Sequence, residues 1–597
     1  MKIRYLNGQR LKRALIAGSN RVIKNRDYLN SINVFPVPDS DTGSNMAGTL
    51  QHVMNGLMRC MDNSVHETVR CAADSALLGA RGNSGVILAQ FLHGLAEELN
   101  DTLTVTTQTF GRAVHGAVDY AYEAISNPRE GTILTVLKDW AHSVYDKCTH
   151  TDDFTELLKH SVHAAENSLA DTPNHLEVLR RAGVVDAGAK GFVDLLEGIT
   201  QFIYKGEIRE LEQLKVEIEE ESPTITDDMG EIAFQYCTEC IVEGTDIDHK
   251  VLRSELLELG DSLIVAGSSS KTKIHVHTNE PNRVFAIAEE YGKLLDEKAD
   301  DMRDQFRSAH TQHGEIALVV DSSCDIPSEI ADELNIHFVP LKVIFGEKTY
   351  IDKVSLTPKE FYELMRKHPE IHPKTSQPTP SDFRNKFEFL GTHYKSLLEL
   401  SLAGALSGTY QSAKTAARYL EADAKIEIID SKLVSVAFGL VARKVGEAVR
   451  DGASLAEAKS LALDLIPRTQ LLVTVPELDS LVRGGRVSKT KGFFANSLNL
   501  KPIITLDDEG NAIQNGTVFG VEGGKKKIME MLHDALDPDV PTDFAITHVD
   551  APDNAQWFTE QVEDQFTLDH DIFTMDATPV LAAHAGFGAV AVAFIRP

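Results

Sequence analysis

Cysteine, basic charge and long apolar runs are all scarce in this sequence, and each shortage removes a class of protein. Only six cysteines occur in 597 residues, and only Cys237 and Cys240 lie close together. That is too few, and too scattered, for a disulfide framework. Lys and Arg total 59 against 89 Asp and Glu, a formal charge of −30. Such a chain repels phosphate backbones and anionic headgroups, so no nucleic-acid partner is expected. No stretch reaches the ~18 consecutive apolar residues of a membrane-spanning helix. The best candidate, 580–595, is broken by His584 and by glycine and reads as core strand and turn. The basic N-terminus leads into no apolar run, so no signal peptide is expected. A GxxxxGK[ST] loop is also missing, which excludes a P-loop protein. The expectation is a cytoplasmic protein without an integral membrane segment.

What is present points to a multidomain globular chain. Hydrophobic residues make up 42% and charged residues 25%, ordinary values that exclude wholesale disorder. At ~100–200 residues per domain, this length implies three or four domains. Residues 9 to about 205 read as successive helices: Leu11, Leu15, Val22 and then Val86, Ile87, Phe91, Leu95 recur at helical spacing. Eight acidic residues between Glu210 and Asp228 mark a linker. From Glu231 the texture becomes strand and helix, with a helix expected at 283–295. A polar stretch, 307–314, precedes strands such as IALVVDSS (316–323), IEIID (426–430) and LLVTV (471–475), which alternate with amphipathic helices and suggest layers around a mainly parallel sheet. The boundaries are therefore a helical domain at 1–208, an acidic linker at 209–230, a small α+β middle domain at 231–306 and a C-terminal α/β domain at 315–597.

The most informative string is NVFPVPDSDTGSNM, residues 33–46. Asp39 and Asp41 stand two apart, so on an extended backbone both carboxylates project to one side. Two hard oxygens placed this way suit Mg²⁺, which binds one or two carboxylates together with waters and phosphates. For a bare DxDxG an Asx-turn before a helix is the simpler account; the longer string with Asn33 and two prolines is more specific. A second cluster, GARGNSG (79–85), leads into an apolar helix, placing Gly82, Asn83, Ser84 and Gly85 where free N–H groups attract an anion. REGTILTV (129–136) and GVVDAGAKG (183–191) have the same character.

On these strings, residues 1 to about 205 resemble the nucleotide-binding domain of the dihydroxyacetone kinase superfamily, in its bacterial fatty acid kinase branch. The resemblance implies a helical barrel that binds ATP with Mg²⁺. Asp39 and Asp41 would be metal ligands with Asn33 a third, residues 82–85 would hold phosphates, and Ser44, Asn45, Thr132 and Asp186 would line the nucleotide pocket. Ser40 stands where the family usually has Gly, so the loop must tolerate a Cβ there; Ser44 replaces the usual Thr and keeps the hydroxyl.

In the middle domain, His275 and His277 lie on one face of one strand. With Cys237 they make a set suited to tetrahedral Zn²⁺; the alternative is two histidines packed on a polar strand face. Cys237 and Cys240, three apart, face opposite sides of a strand and do not read as a pair. The string CTE…GDSL…HVHT is similar to the middle domain of the same kinases, which implies a Cys237–His275–His277 site.

From Glu315 to the end, VVDSSCDI, TSQPTPSDF, ALSGTYQSA, LVRGGRVS and PVLAAHAGFGA resemble the DegV family, which implies a two-lobed domain that buries an acyl chain. Thr375, Ser376, Ser407, Gly408 and His584 would hold the carboxylate head. Arg483 and Arg486 would neutralise an acyl phosphate or, equally, form a solvated basic turn. The resemblance thus implies a fatty acid kinase fused to its own carrier, transferring phosphate from ATP to a fatty acid for phospholipid synthesis. The polar stretch would tether carrier to kinase. A phosphate acyltransferase and a second copy of the chain, in a homodimer, are the expected partners. Two rivals stand beside this reading: a small polyol or ketone kinase with a lipid-sensing domain, and a non-catalytic lipid-binding regulator.

Overall fold

The computed structural model describes every residue except 1, 37, 39, 61, 63, 126, 206–232, 311–314, 419–423, 476–482 and 487–499. Asp39, the acidic linker and most of the connector before Glu315 lie outside the described residues. The chain forms two compact units, Met1–Ala309 and His310–Pro597.

The first unit begins with a closed ring of helices. Gly8–Lys24, Thr42–Arg59, Val65–Gly79, Gly82–Glu98, Thr107–Ala124, Ile133–Cys148 and Phe154–His175 each pack on the next, and Ala187–Lys205 packs back on the first. Their apolar stripes meet in one core, where Phe91, Trp140 and Phe192 stand edge to face at 5.6–6.4 Å. Short connections make neighbouring helices antiparallel, so alternate helices start at the same end of the ring. Closure depends on glycine. A Cβ on Gly198 would lie 2.7 Å from the Gly18 Cα, and one on Gly18 would lie 2.6 Å from the Leu195 carbonyl oxygen.

The middle domain is a four-stranded antiparallel sheet in the order Gly260–Ser268, Lys271–Thr278, Tyr236–Glu243, Lys293–Asp301. Its edge strand docks on the helix Gly82–Glu98: Ile264 and Ala266 enter the ring's core, and the Gly267 N–H donates to Gln90 Oε1 at 3.0 Å. The helix expected at 283–295 ends at Glu289, and Lys293 opens a strand. A turn through Gly292 separates them, and pairing with Tyr236–Glu243 overrides the helical pattern. The helix Met302–His310 runs into the stretch read as connector.

The second unit has two larger sheets. One is fully parallel, ordered Lys425–Asp430, Ser396–Ser401, Ile316–Asp321, Ile336–Val339. The other has six strands and departs from the mainly parallel expectation, since only Asp543–His548 with Phe573–Asp576 is a parallel pair. The strand containing LLVTV lies between antiparallel partners, Leu500–Leu506 and Val590–Ile595. A tight turn at 507–511 joins Leu500–Leu506 to Ala512–Phe519 as a hairpin, which needs no crossover. Residues 580–595, read as strand and turn, are instead most of the helix Pro579–Ala585, a turn at Gly586 and Gly588, and a core strand.

The glycine contact that closes the ring gives a test. Gly198→Ala improves helix propensity by ~1 kcal/mol, but its methyl meets backbone that cannot rotate away. The substitution should therefore destabilise the first unit by about 1–3 kcal/mol, seen by calorimetry as a lowered unfolding transition. An unchanged or raised transition would mean that the two helices part without cost.

Candidate functional sites

Four polar helix starts converge at one end of the ring. Asn30 holds the first, its Oδ1 accepting from Ser44 N and its Nδ2 donating to Ser44 Oγ, both at 3.0 Å. Asn45 lies against Gly82, where a Cβ would come within 2.4 Å of Asn45 Nδ2, and Gly82 has φ +56°, a left-handed backbone open to glycine. Ser84 packs on Gly188, its Oγ 2.5 Å from where a Cβ would stand. Asp186 accepts from Ala189 N at 2.7 Å and from the backbone of Ile133, tying the last two helix starts together. Thr132 caps the helix Ile133–Cys148, accepting from Leu134 N, and donates to the Arg129 carbonyl. Ser44, Asn45, residues 82–85, Thr132 and Asp186 thus lie around one polar end.

Burial pushes the Asp186 carboxyl up to about 6 despite its two backbone donors. Asn83 Oδ1 is buried with no hydrogen-bond partner among the described residues. Asp41 precedes the helix Thr42–Arg59, yet its carboxylate makes no capping bond, leaving it suited to a hard cation. Ser40 adopts φ +54°, so the loop accommodates its Cβ in the conformation a glycine would enter freely. Asn33 is buried at the head of the same loop.

The middle-domain residues come together on the sheet face nearest this end. Cys237 is paired with His277 and Glu239 with His275 across neighbouring strands. Ligand atoms of Cys237, His275 and His277 all lie within 4.8 Å of one another. Cys237 Sγ is 3.7 Å from His275 Nδ1, and Glu239 Oε1 is 2.9 Å from that same nitrogen. A catalytic triad would use both ring nitrogens, so this is not one. His275 Nε2 is instead buried with no partner among the described residues. A carboxylate on one ring nitrogen and an open second nitrogen is how metal-binding histidines are held, and the sulfur and imidazole donors fit Zn²⁺.

Burial raises the Cys237 thiol well above its ordinary range, with Glu239 adding to the effect and Asp41 close enough to contribute. Burial alone would also raise Glu239, but Lys273, at 3.0 Å, and the His275 hydrogen bond hold it well below the usual carboxylate range. Cys240 is buried, is paired with Ile274 and takes no part in the cluster. Glu239 and Lys273 were not singled out from the sequence. Their signal was the two-residue strand period, which puts them on the face of Cys237 and His275.

In the second unit a cavity of about 1130 Å³, beyond the ~300–1,000 Å³ of ordinary ligand pockets, is walled by residues such as Leu341, Val473, Ile504 and Val580. Thr375, Ser376, Ser407, Gly408, His584 and Arg486 also line it. Thr375 Oγ1 and His584 Nε2 are 2.9 Å apart, and His584 Nδ1 is buried with no partner among the described residues. Ser407 Oγ accepts from Thr409 N at the start of a helix. Gln377, also overlooked in the sequence, packs on Gly408 and donates to Ser412 Oγ. Of the two arginines, Arg486 faces the cavity, whereas Arg483 is exposed and contacts His372. Among the described residues no helix is long and apolar enough to cross a membrane.

Comparison with known proteins agrees with this division. Residues 36–201 match the DAK2 domain, 233–309 the middle domain of fatty acid kinase A-like proteins, and 315–597 the uncharacterised DegV family. Uncharacterised proteins of Staphylococcus haemolyticus and Staphylococcus epidermidis are 37% and 36% identical over 314 residues, 51% of this chain. The chain spans 57% of the length of these relatives. Among solved structures, a fatty-acid-binding DegV family protein from Thermus thermophilus is 26% identical, with a TM-score of 0.44 over 47% of this chain and 99% of that one. DegV from Bacillus subtilis, described as a fatty acid binding protein, is 27% identical, with a TM-score of 0.43 and coverages of 47% and 99%.

The first two domains are those of a kinase-type phosphotransferase. The chain as a whole belongs with the fatty acid kinases, joined in one polypeptide to a DegV-family domain.

Burial and the nearby Arg486 push His584 down to about 4, against ~6.5 in an unfolded chain. Between these values the unfolded state binds a proton that the folded state does not, so stability falls as pH falls. From pH 7.5 to 5.0 the ligand-free protein should lose about 2 kcal/mol more than His584→Gln, measured by urea unfolding. Equal losses would show that His584 is not held neutral.

Proposed function

We propose that the chain is a fatty acid kinase carrying its own acyl-binding domain, which transfers the γ-phosphate of ATP to a fatty acid carboxylate. One observation carries the reading: a single chain holds both four converging polar helix starts and an apolar cavity ending in hydroxyls and an imidazole. In the transfer, a carboxylate oxygen bonds to the γ-phosphorus while the bond from that phosphorus to the β–γ bridging oxygen breaks. The products are ADP and an acyl phosphate, and no proton moves. The nucleophile is already ionised at neutral pH, so the protein's task is positioning and charge neutralisation.

In this reading the backbone N–H groups at 83–85 receive phosphate oxygens at a helix start. Asn45, Ser84 and Thr132 orient the nucleotide, and Asp186 holds two of the helix starts in place. Asp41, with Asp39 and Asn33, would hold Mg²⁺, which when bound neutralises phosphate oxygens. Cys237, His275 and His277 would hold Zn²⁺. Thr375, Ser376, a neutral His584 and the backbone at Ser407 and Gly408 would hold the fatty acid carboxylate by hydrogen bonds. The acyl phosphate would pass to a phosphate acyltransferase of phospholipid synthesis, and the working form would be a cytoplasmic homodimer.

Asp41→Ala tests the assignment. Acyl phosphate formed from ATP and a C16 fatty acid, trapped with hydroxylamine, should fall by at least about 100-fold, while fatty acid retention is unchanged. Near-normal turnover would misplace the kinase site. Phosphorylation of glycerol or dihydroxyacetone in place of the fatty acid would favour a small-polyol kinase with a lipid-sensing domain.

A further inference from the structure

Glu239 is 2% exposed, and its two oxygens serve three donors on separate elements. Oε1 lies 3.0 Å from Gly82 N and 2.9 Å from His275 Nδ1, and Oε2 accepts from Lys273 Nζ at 3.0 Å. Gly82 opens the helix assigned to the nucleotide phosphates, and His275 belongs to the Cys237–His275–His277 cluster. A single oxygen is therefore shared between the phosphate turn and a candidate metal ligand. Neither side has slack. Gly82 is held at φ +56° against Asn45, and Glu239 is fixed on its sheet by Lys273 and by pairing with His275 and Lys298 on either side. The Gly82 N–H, being spent on Glu239, sets the direction of the turn and leaves the N–H groups of 83–85 to face an anion.

We propose that Glu239 is a positioning residue that couples the Cys237–His275–His277 centre to the phosphate turn, so that metal binding there and nucleotide binding are thermodynamically linked. A cation on His275 Nε2 fixes the ring with its Nδ1–H toward Glu239, and the carboxylate so oriented fixes Gly82. By reciprocity, nucleotide phosphates that order the turn tighten metal binding by the same factor. The inference rests on the reading of residues 82–85 as the phosphate turn and adds a regulatory link to it.

The test measures MgADP binding by calorimetry on the full-length protein, with metal content followed by elemental analysis. Removing metal with a chelator, then dialysing the chelator away, should weaken MgADP at least about fivefold. Restoring one equivalent of Zn²⁺ should recover the affinity. In Glu239→Gln, which keeps the shape but cannot serve all three donors, the MgADP Kd should be the same within twofold with and without Zn²⁺. Zn²⁺ itself should bind that variant about 10–100-fold more weakly. Should Glu239→Gln not fold, the wild-type comparison decides alone. A MgADP Kd indifferent to Zn²⁺ in the wild type, a protein that takes up no Zn²⁺, or a dependence that persists in Glu239→Gln would each overturn the coupling while leaving the kinase reading intact. A wild-type chain that binds no MgADP in either state would overturn both.

Discussion

The geometry of the N-terminal site depends on the closure of the helix ring. Once the last helix lies against the first, with Gly198 and Gly18 in backbone contact, every second helix begins at the same end. The polar turns at 40–45, 82–85, 129–132 and 183–188 are then brought together although up to about 140 residues separate them. The convergence is thus a consequence of ring topology, and the individual side chains only refine it. Asn45 against Gly82, Ser84 against Gly188 and Asp186 across to Ile133 are the contacts that do so.

Burying ionisable groups near these sites costs free energy, and the protein meets that cost in different ways. Glu239 is kept ionised by a buried lysine and by hydrogen-bond donors, an arrangement that is destroyed if any one partner is lost. Asp186 has backbone donors but no cation, so its carboxyl titrates closer to neutrality. His584 sheds its charge altogether and offers hydrogen bonding without a fixed positive charge. An environment that excludes water strengthens each of these contacts and penalises any that is left unmade.

The amino-acid sequence alone determined a good deal. The 3.6-residue apolar period placed the N-terminal helices, and Gly and hydroxyl residues at their starts marked the anion-binding turns. The strand period put His275 and His277 on one face and separated Cys237 from Cys240. These are local properties, set by backbone geometry within a few residues. Where partners had to be chosen, sequence reading failed. The pattern at 283–295 looked helical until Lys293–Asp301 found a strand to pair with. LLVTV carried no sign that its neighbours would run antiparallel, because strand direction is set by which segments the connections allow to meet. The role of Glu239 was likewise invisible: a glutamate between two cysteines acquires its place only when Gly82, 157 residues away, docks against it. Chemistry confined to one turn or one strand was legible in the sequence, while chemistry made by contact between distant segments was decided by the tertiary fold, since only packing fixes which donors a buried carboxylate will find.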